Sequence, residues 1–403
     1  MKNPIHYIKE KGIRRAWFVF YHIKCDIIQR KILYALKAKK KLQNIIIIES
    51  HNDFDCNGGA LYDYMIKEKV NKKYRIVWLV KNRIPTNLPE NVICFKLNKP
   101  NWKKNKMITL AKYLFFDECF IENCRSDQIV IYLTHGGITF KNVKGKIVIP
   151  EHISYILSPS KSYDKIMCEN YSIPYPNNRM LHFGMPKNDC LFNNNDNSKE
   201  LSKLTDCDYD NVFLWMPTFR RMAGTDRNDS CRDYPFGLPL ISSQNEFIKL
   251  SNYLIKINSF LIIKLHPNQD LTQIISIPQY ENIIILSDNK CKEMGINTYK
   301  LMSSATAMIS DYSSSAYSYL LLDRPIAFTL DDLQDYERGF VVEDFKKILP
   351  GELIYTIGDL LSFFANVSND FDKHAEARSK MLDWLYDYKD GNSCKRLLEF
   401  LSL

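Results

Sequence analysis

Short runs built almost entirely from apolar residues recur along the chain, and each is followed by a polar segment and then by a helical pattern. Strands without polar positions on either face, alternating with helices, are typical of parallel sheets covered on both sides. We therefore expect an α/β fold with two such series, one in each half of the chain. The expected strands are Asn44–Ser50, Tyr74–Val80, Val92–Cys94, Thr109–Phe116 and Gln128–Leu133, then Val212–Met216, Leu261–Leu265, Ile283–Leu286 and Ala305–Ser310.

Length favours two domains, because a chain of 403 residues is longer than one hydrophobic core usually grows. The stretch 192–211, rich in Asn, Asp, Ser and Lys, cannot build a core and is predicted to link them. We expect a first domain over 44–191, a second over 212–373 and closing helices over 374–403. The eleven cysteines show neither a CxxC pair nor a Cys/His ligand spacing, which favours reduced thiols in the cytosol over disulfides or a zinc site.

The segment Lys300–Pro325 combines a strand, a polar break and a helix start that is crowded with Ser313, Ser314 and Ser315. The first N–H groups of a helix lack internal partners and carry about half a positive charge, so a phosphate or diphosphate can bind there. Asp311 and Ser313 can equally serve as plain helix caps. This segment alone does not decide between the two interpretations.

His135 directly follows a predicted strand, and Gly136 and Gly137 clear space behind it for a substrate. Ligands of open α/β sheets bind at the carboxyl ends of strands, which makes His135 a candidate catalytic residue, with a structural histidine as the alternative. Lys141 follows within reach of the same crevice. Lys187 belongs to another predicted strand-to-helix turn.

Predicted strands of the second half also end in polar or basic residues. With His135 on one sheet and His266 on the other, the pattern predicts the cleft of a nucleotide-dependent transferase between two facing sheets. The strand-end residues are Pro217, Thr218, Phe219, Arg220, Arg221, Lys264, His266 and Pro267.

The first 43 residues hold twelve Lys and Arg against Glu10 and Asp26, and this arm accounts for the whole positive surplus of the chain. Apolar residues, Trp17 and Phe18 among them, recur at spacings that put many of them on one side of a helix. A basic amphipathic helix of this kind is typical of peripheral binding to an anionic membrane surface. Packing on its own domain is the alternative, and we expect no nucleic-acid partner. The longest uncharged run, Ala16–Ile23, is too short to cross a bilayer, and we expect no export signal.

Several short motifs together resemble the CDP-glycerol glycerophosphotransferases, the family of the teichoic-acid primases and polymerases. The motifs run from about Asn44 to Thr356 and cover nearly the whole globular part. They are PTFR at Pro217–Arg220, KLHP at Lys264–Pro267, ISDYSS at Ile309–Ser314, RPI at Arg324–Ile326, IIIIES…GGALYDYM near the start, HG at His135-Gly136, GMPKNDCL at Gly184–Leu191, and YERGF…LPG from Tyr336 to Gly351.

The resemblance implies a GT-B-like fold of two Rossmann-like domains, with a CDP-linked donor held by the second domain and chemistry in the cleft between them. It implies transfer of a polyol phosphate, glycerol phosphate by default, to a hydroxyl of a lipid-linked glycan or polymer at the cytoplasmic face of the membrane, in teichoic acid or capsule synthesis. By similarity, His135 and His266 match the two essential histidines of the family, and Lys187 stands where the family usually has an arginine. Donor-contacting positions are implied for Pro217, Thr218, Lys264, Ser313 and Ser314.

Elementary chemistry agrees with those roles. A hydroxyl nucleophile must lose its proton near pH 7, and imidazole has the unperturbed pKa closest to that pH, so His135 is the expected general base. His266, Arg220, Lys264 and the amides of the serine turn are candidates for stabilising charge on the phosphoryl oxygens. The sequence predicts no metal site, and Mg²⁺ brought by substrate phosphates, with Asp311 as its protein ligand, stays an alternative.

Three departures from the family pattern leave the donor open. Thr134 replaces the Trp that is common in primases, the loop HGGITFKNV is closer in length to that of the polymerases that handle ribitol phosphate, and Ser318 replaces the usual acid. CDP-ribitol or another CDP-polyol is therefore an alternative donor. A GT-B glycosyltransferase that uses a nucleotide sugar and a non-catalytic membrane-bound module of polymer assembly are the other classes considered.

Overall fold

Two parallel sheets dominate the architecture. The structure is a computed structural model, which describes residues 13–82, 84–122, 124–135, 137–192, 199–220, 229–230, 232, 234–269, 271 and 279–403. The first 12 residues of the basic arm, Gly136 and Arg221 lie outside these ranges. The expected fold class, two α/β domains with parallel sheets and a helical N-terminal region, is confirmed.

The first sheet has seven parallel strands in the order β3-β2-β1-β4-β5-β6-β7. Its inner strand β1 carries four consecutive isoleucines, Ile45 to Ile48, which are all buried because both faces of the sheet are covered. Branched side chains of this kind favour extended backbone. The strands are β1 Gln43–Glu49, β2 Arg75–Val80, β3 Val92–Lys96, β4 Ala111–Phe116, β5 Ile129–Tyr132, β6 Tyr155–Ser158 and β7 Met180–His182.

The second sheet has six parallel strands in the order β10-β9-β8-β11-β12-β13. Every residue of β8, β9, β11 and β12 is buried, as the apolar runs of the sequence predict. The strands are β8 Asn211–Trp215, β9 Ser259–Lys264, β10 Ile283–Leu286, β11 Ala307–Ser310, β12 Ile326–Thr329 and β13 Glu352–Ile354.

Helices cover both sheets and form the two ends of the described chain. A π-helical segment, Phe20–Lys24, joins the first two α-helices, and a 3₁₀ segment, Pro186–Phe192, follows β7. The α-helices are α1 Ile13–Val19, α2 Cys25–Lys37, α3 Cys56–Lys67, α4 Trp102–Leu110, α5 Asp164–Tyr171, α6 Gln244–Lys256, α7 Asp288–Glu293, α8 Thr298–Ser304, α9 Ser314–Tyr319, α10 Ile357–Ser368, α11 Ala375–Leu385 and α12 Ser393–Leu401.

The strand order creates one crevice in each sheet. The chain builds outward from β1 through β2 to β3 and then returns to place β4 on the other side of β1, and β8 to β11 repeat the pattern. Ligands of such sheets bind outside the carboxyl ends of the strands at the point of reversal. Residues that follow β1 and β4, and those that follow β8 and β11, therefore lie where a ligand is expected.

A short backbone pairing joins the two domains. Lys141 forms an antiparallel bridge with Phe340, the N–H of Asn142 donates to the carbonyl of Gly339 at 3.0 Å, and the N–H of Val341 donates to the carbonyl of Phe140 at 2.9 Å. The loop that follows His135 is thus fixed to the second domain.

The N-terminal arm packs one face on the first domain and exposes the other. The Asp26 carboxylate on α2 lies 3.0 Å from Lys104 Nζ and accepts from Asn105 Nδ2 at 2.8 Å, and it also pairs with Arg30. Burial lowers the pKa of Lys104. Large apolar side chains on the opposite face stay exposed, namely Ile13, Trp17, Phe18, Phe20, Tyr21, Ile23, Ile28, Ile32 and Leu36. In the part of the chain that the structure describes, no helix has both the length and the apolar character to span a bilayer.

The C-terminal helices contact both domains. The hydroxyl of Tyr113 on β4 donates to the carbonyl of Leu401, and that of Tyr386 donates to the carbonyl of Tyr317 on α9. In the described part of the expected linker, Leu201 packs against the core. The domain limits expected from the sequence stay predictions.

We predict that Phe140→Ala destabilises the protein by about 3–5 kcal/mol, because the substitution leaves a cavity at the junction of the domains. The Phe140 ring is buried and packs against Tyr163, Tyr317 and Trp384. Urea unfolding measures the loss, with Phe371→Ala, at a side chain that is 56% exposed, as the matched control. Equal small losses in the two variants would contradict the prediction.

Candidate functional site

A cleft of about 1420 Å³ lies between the two sheets, and residues of both domains line it. His51, His135, Lys141 and Lys187 face it from the first domain. From the second domain it is lined by Pro217, Lys264, His266, Ser314 and Arg338. The two histidines singled out in the sequence therefore share one cavity.

The backbone holds His135 in place from two sides. Its N–H donates to the carbonyl of Asp117 at 3.0 Å, and Asn57 Nδ2 donates to the carbonyls of Leu133 and Thr134 at 2.9 and 3.0 Å. Thr134 has a φ of 61°, a conformation that a β-branched residue rarely adopts. Strain of this kind persists only where the surroundings fix the backbone, and it is common at active sites.

The ring of His135 lies among other chemically active groups. It stacks on the ring of His51, with centroids 4.0 Å apart and planes inclined by 25°. Its Nδ1 is 3.7 Å from the Cys56 sulfur. Desolvation by the surrounding cleft walls lowers the pKa of His135 to about 3 although the residue keeps access to solvent, and Coulomb repulsion from Lys187 adds to the effect. The ring is thus neutral at pH 7 in the protein alone.

Lys187 lines the cleft from the first domain, in the 3₁₀ segment that follows β7. Its N–H donates to Asn57 Oδ1 at 3.0 Å, so Asn57 ties this turn to the His135 loop. Burial alone would lower the pKa of Lys187. Interactions with Tyr299, Cys56 and Asp117 have the larger effect, so the pKa of Lys187 is raised. Gly137, at a φ of 69°, lies against this lysine, since a Cβ there would meet Lys187 Nζ at 3.7 Å.

His266 follows β9 and has a defined tautomer. Its Nδ1 accepts the backbone N–H of Asn268 at 3.1 Å. Burial lowers the pKa of His266 to about 3, with Lys141 and Lys264 as the next causes. A neutral His266 therefore carries its proton on Nε2 and can donate it in a hydrogen bond.

Two lysines add positive charge beside His266. Lys141 Nζ reaches across the domain junction to Thr218 Oγ1 at 3.2 Å, and burial lowers its pKa to about 7. Lys264 Nζ donates to the carbonyl of Leu265 at 2.9 Å, and burial lowers its pKa as well. The second-domain wall thus collects groups that can carry positive charge, and Asp288 lies 3.9 Å from Lys264 Nζ.

Arg220 and Asp311 lie one layer behind the wall and contact each other. Asp311 accepts from Arg220 Nη1 at 2.7 Å and from Thr218 Oγ1 at 2.6 Å, and Arg220 also binds Asp332. All four side chains are buried. Their expected contacts with substrate stay predictions, whereas the network visibly fixes the loop after β8 against the loop after β11.

Ser313 and Ser314 in the serine turn have different environments. Ser313 Oγ accepts from Ser315 N–H at 3.4 Å and caps α9, which is the plain interpretation of the sequence. Ser314 lies in the wall of the cleft, which Pro217 also lines. A cap at Ser313 and a ligand contact at Ser314 are therefore compatible.

Sequence reasoning missed a cluster at the crevice of the first sheet. Lys81 Nζ lies 2.8 Å from Glu49 Oε1 and 2.6 Å from Glu118 Oε2, and His51 Nδ1 lies 3.2 Å from Glu118. Among the described residues, Glu49, Glu118 and Cys119 are the group with metal-ligand spacing, and the Lys81 ammonium pairs with both carboxylates. The sequence does contain a signal for this cluster, because polar residues stand at the ends of both β1 and β4.

Comparisons with known proteins agree with the motifs. The curated relatives include the teichoic acid ribitol-phosphate polymerases TarK and TarL of Staphylococcus aureus (strain NCTC 8325 / PS 47), which are 24% and 25% identical over 385 and 373 residues. These matches cover 91% and 88% of this chain but 69% and 61% of the relatives' own lengths.

A solved structure of a variant of the wall teichoic acid polymerase TagF superimposes with a TM-score of 0.74 at 17% identity, over 97% of this chain and 98% of that one, which shows a shared fold. The family model described as CDP-Glycerol:Poly(glycerophosphate) glycerophosphotransferase matches residues 31–403. This match spans most of the chain and confirms the resemblance of the motifs: the protein belongs to the CDP-glycerol:poly(glycerophosphate) glycerophosphotransferase family.

Proposed function

We propose that this protein transfers a polyol phosphate, with glycerol phosphate as the first candidate, from a CDP-linked donor to a hydroxyl of a membrane-associated, lipid-linked glycan or polymer. The product belongs to teichoic acid or capsular polysaccharide synthesis, and CMP is released. The observation that carries the proposal is the convergence of His135 and His266, from opposite domains, on one cleft with cationic walls.

The reaction is a single displacement at phosphorus. The acceptor oxygen bonds to the β-phosphorus, which carries the polyol, and the bond from this phosphorus to the bridging oxygen breaks. CMP leaves with the electron pair of that bond, and the hydroxyl proton moves to His135. Because Nδ1 of His135 faces the Cys56 sulfur, Nε2 is the ring nitrogen that accepts the proton.

Burial and the donor charge together suit His135 to this task. A ring with a pKa near 3 is unprotonated but weakly basic. The negative charges of a bound diphosphate favour the imidazolium and raise that pKa toward the working pH, where a general base is most effective. Proton acceptance is thus coupled to donor binding.

The second-domain wall suits a diphosphate. Nε2–H of His266, the ammonium groups of Lys141 and Lys264, and Ser314 at the start of α9 all face the cleft. Fixed donors and cations of this kind stabilise charge that builds up on phosphoryl oxygens during transfer.

Ribitol phosphate is the second candidate for the transferred group. Two relatives with matches along most of this chain are named as ribitol-phosphate polymerases. The length of the HGGITFKNV loop points the same way, and Thr134 departs from the Trp that is common in primases. Both donors share the CDP diphosphate, so the described cleft walls suit either.

The exposed face of the arm supports peripheral binding at the cytoplasmic face of the membrane. Trp17 and Phe20 are 64% and 50% exposed, and basic residues flank them along the arm. Aromatic side chains next to bases favour the interface of an anionic bilayer. The arm thus combines the two expectations from the sequence, with one face packed on the first domain and the other available to lipid.

Nucleotide release tests the reaction and the donor together. With CDP-glycerol, CDP-ribitol or a UDP-hexose and a synthetic lipid-linked glycan acceptor, we expect CMP from a CDP-polyol and no UDP. His135→Ala and His266→Ala should each lower the rate at least about 100-fold, since a positioned general acid or base contributes 10²–10⁴-fold. His182→Ala is the matched control, because this histidine pairs with Asp164 outside the cleft. Release of UDP, or wild-type rates in both cleft variants, would overturn the proposal.

Affinity for CDP should depend on the charge of Lys141. Its pKa of about 7 in the free protein rises when a diphosphate binds, so binding is favoured below pH 7 and weakens as the pH rises through that value. Calorimetric titration with CDP from pH 6 to 9 should show about tenfold weaker binding for Lys141→Met at pH 6 and a flatter pH dependence above 7.

Lys144→Met, at an exposed position in the same loop, is the control for the ionisation of CDP itself. If CDP affinity depended on pH in the same way in the Lys141 and Lys144 variants, Lys141 would not contact the diphosphate.

Membrane binding should require the exposed aromatic residues of the arm. We expect Trp17→Ser combined with Phe20→Ser to weaken co-sedimentation with phosphatidylglycerol vesicles in low salt at least tenfold, because each buried aromatic side chain contributes about 1.5–3 kcal/mol. These variants keep Asp26 and its contacts to α4, which deletion of the arm would remove. Ile255→Ser, at a residue 64% exposed in the second domain, should bind as the wild type does. Undiminished sedimentation of the double variant would refute the membrane role.

A further inference from the structure

His51 lies face to face with His135 at the edge of the first sheet. The ring centroids are 4.0 Å apart and the planes are inclined by 25°. His51 also lines the cleft. A contact of this kind restricts the rotation of the His135 ring about its side-chain bonds, because tilting the ring would drive it into its neighbour.

Three adjacent strand ends bring this group together. His51 follows β1, Glu118 follows β4 and His135 follows β5, and these strands are neighbours in the sheet. Lys81, after β2, fixes the arrangement from the other side, since its Nζ donates to the carbonyl of His51 at 2.9 Å and to Glu118 at 2.6 Å. The stacked ring is therefore held at its backbone as well as at its side chain.

Glu118 adds a negative charge to the group formed by His51, His135 and Lys81. Its Oε2 lies 3.2 Å from His51 Nδ1 and also pairs with Lys81. The contact with His51 is the main cause that lowers the pKa of Glu118 to about 2, so this carboxylate stays ionised throughout the range in which an enzyme is assayed.

The charges around His135 are otherwise mostly positive. Lys187 and Lys81 disfavour an imidazolium at this position, and so does His51 when it is protonated, whereas Glu118 favours one. The Cys56 thiol lies against the His135 ring, while the backbone carbonyl of Asp117 and the Tyr132 hydroxyl contact the His135 backbone. Burial raises the pKa of Asp117 well above its usual value, whereas Glu118 is a carboxylate whose charge raises the pKa of His135.

We propose that His51 is a positioning residue for His135, and that Glu118, bound behind it, offsets the positive charge that His135 gains when it takes the proton of the acceptor hydroxyl. This inference rests on the proposed function, because it needs His135 to act as the base. It adds an aromatic support and a counter-charge to the two histidines that the sequence singled out. His51 itself accepts no proton from the substrate.

The stacking is tested by a pair of substitutions at one position. We expect His51→Ala to lower kcat about tenfold with the KM for CDP-glycerol changed less than twofold, because the donor still binds while the base is misoriented. His51→Phe keeps a flat ring and should recover kcat to within about threefold of the wild type. A wild-type kcat for His51→Ala, or equal losses for Ala and Phe, would overturn the positioning role.

The counter-charge is tested by Glu118→Gln, which keeps the shape of the side chain. Because His135 acts in its unprotonated form, the rate falls as the pH drops through its pKa in the substrate complex. Loss of the negative charge lowers that pKa, so the acid limb of the kcat profile should move to lower pH by about half to one unit. An unchanged acid limb, or one that moves to higher pH, would refute the role of Glu118.

Controls separate this inference from the proposed function. His182→Ala removes a histidine of the same sheet edge that pairs with Asp164 at 2.7 Å, and it should leave both kcat and the pH profile unchanged. If the wild type releases no CMP from either CDP-polyol, the proposed function fails. If the wild type is active, His135→Ala is inactive and the His51 and Glu118 variants behave as the wild type does, the present inference alone fails.

Discussion

The site depends on the backbone pairing between the loop after His135 and the segment 339–341. Two hydrogen bonds and the packing of Phe140 fix the loop to the second domain, and the residue between them is Lys141. A first-domain lysine thereby becomes part of the second-domain wall, next to Thr218 and His266. Because the same loop begins at His135, the pairing also sets how the base stands relative to that wall. The chemistry of the cleft is thus a property of the junction and belongs to neither domain alone.

Burial gives the cleft its electrostatic character. It lowers the pKa values of His135, His266 and Lys141, so that both rings and part of the lysine population are uncharged before a ligand arrives. A diphosphate brings negative charge to each of these groups and favours their protonated forms. In the proposed reaction, the charge of the bound donor therefore makes His135 a stronger base and favours the charged forms of the lysines that bind the diphosphate.

Much of the fold follows from the sequence, because fully apolar runs predict buried parallel strands and the order of the runs predicts two sheets. The run Asn44–Ser50 is found as β1, shifted by one residue. The expected strand Thr109–Phe116 begins too early, because Thr109 and Leu110 are the last residues of α4 and β4 begins at Ala111. The motifs predicted one cleft for His135, His266 and Lys264. They could not predict that Arg220 and Asp311 form an ion pair, because the acidic partners of Arg220 lie up to 112 residues away in the chain. His51 was missed for the same reason: its stacking partner and its carboxylate come from two other strand ends.

In the proposed function, the two domains divide the substrates by where those substrates come from. The arm with the exposed aromatic face packs on α4, and α4 runs directly into β4, whose end carries Glu118 beside the His51–His135 stack. The first domain, which holds the proposed base His135, is therefore also the domain proposed to contact lipid, and in the proposed reaction it receives the lipid-linked hydroxyl. The wall proposed to bind the diphosphate belongs mainly to the other domain, which in the proposed reaction takes its donor from water. A transferase that joins a membrane-bound acceptor to a soluble donor needs this polarity, because an acceptor tethered to the bilayer can approach only from the side of the membrane while the nucleotide must leave on the other.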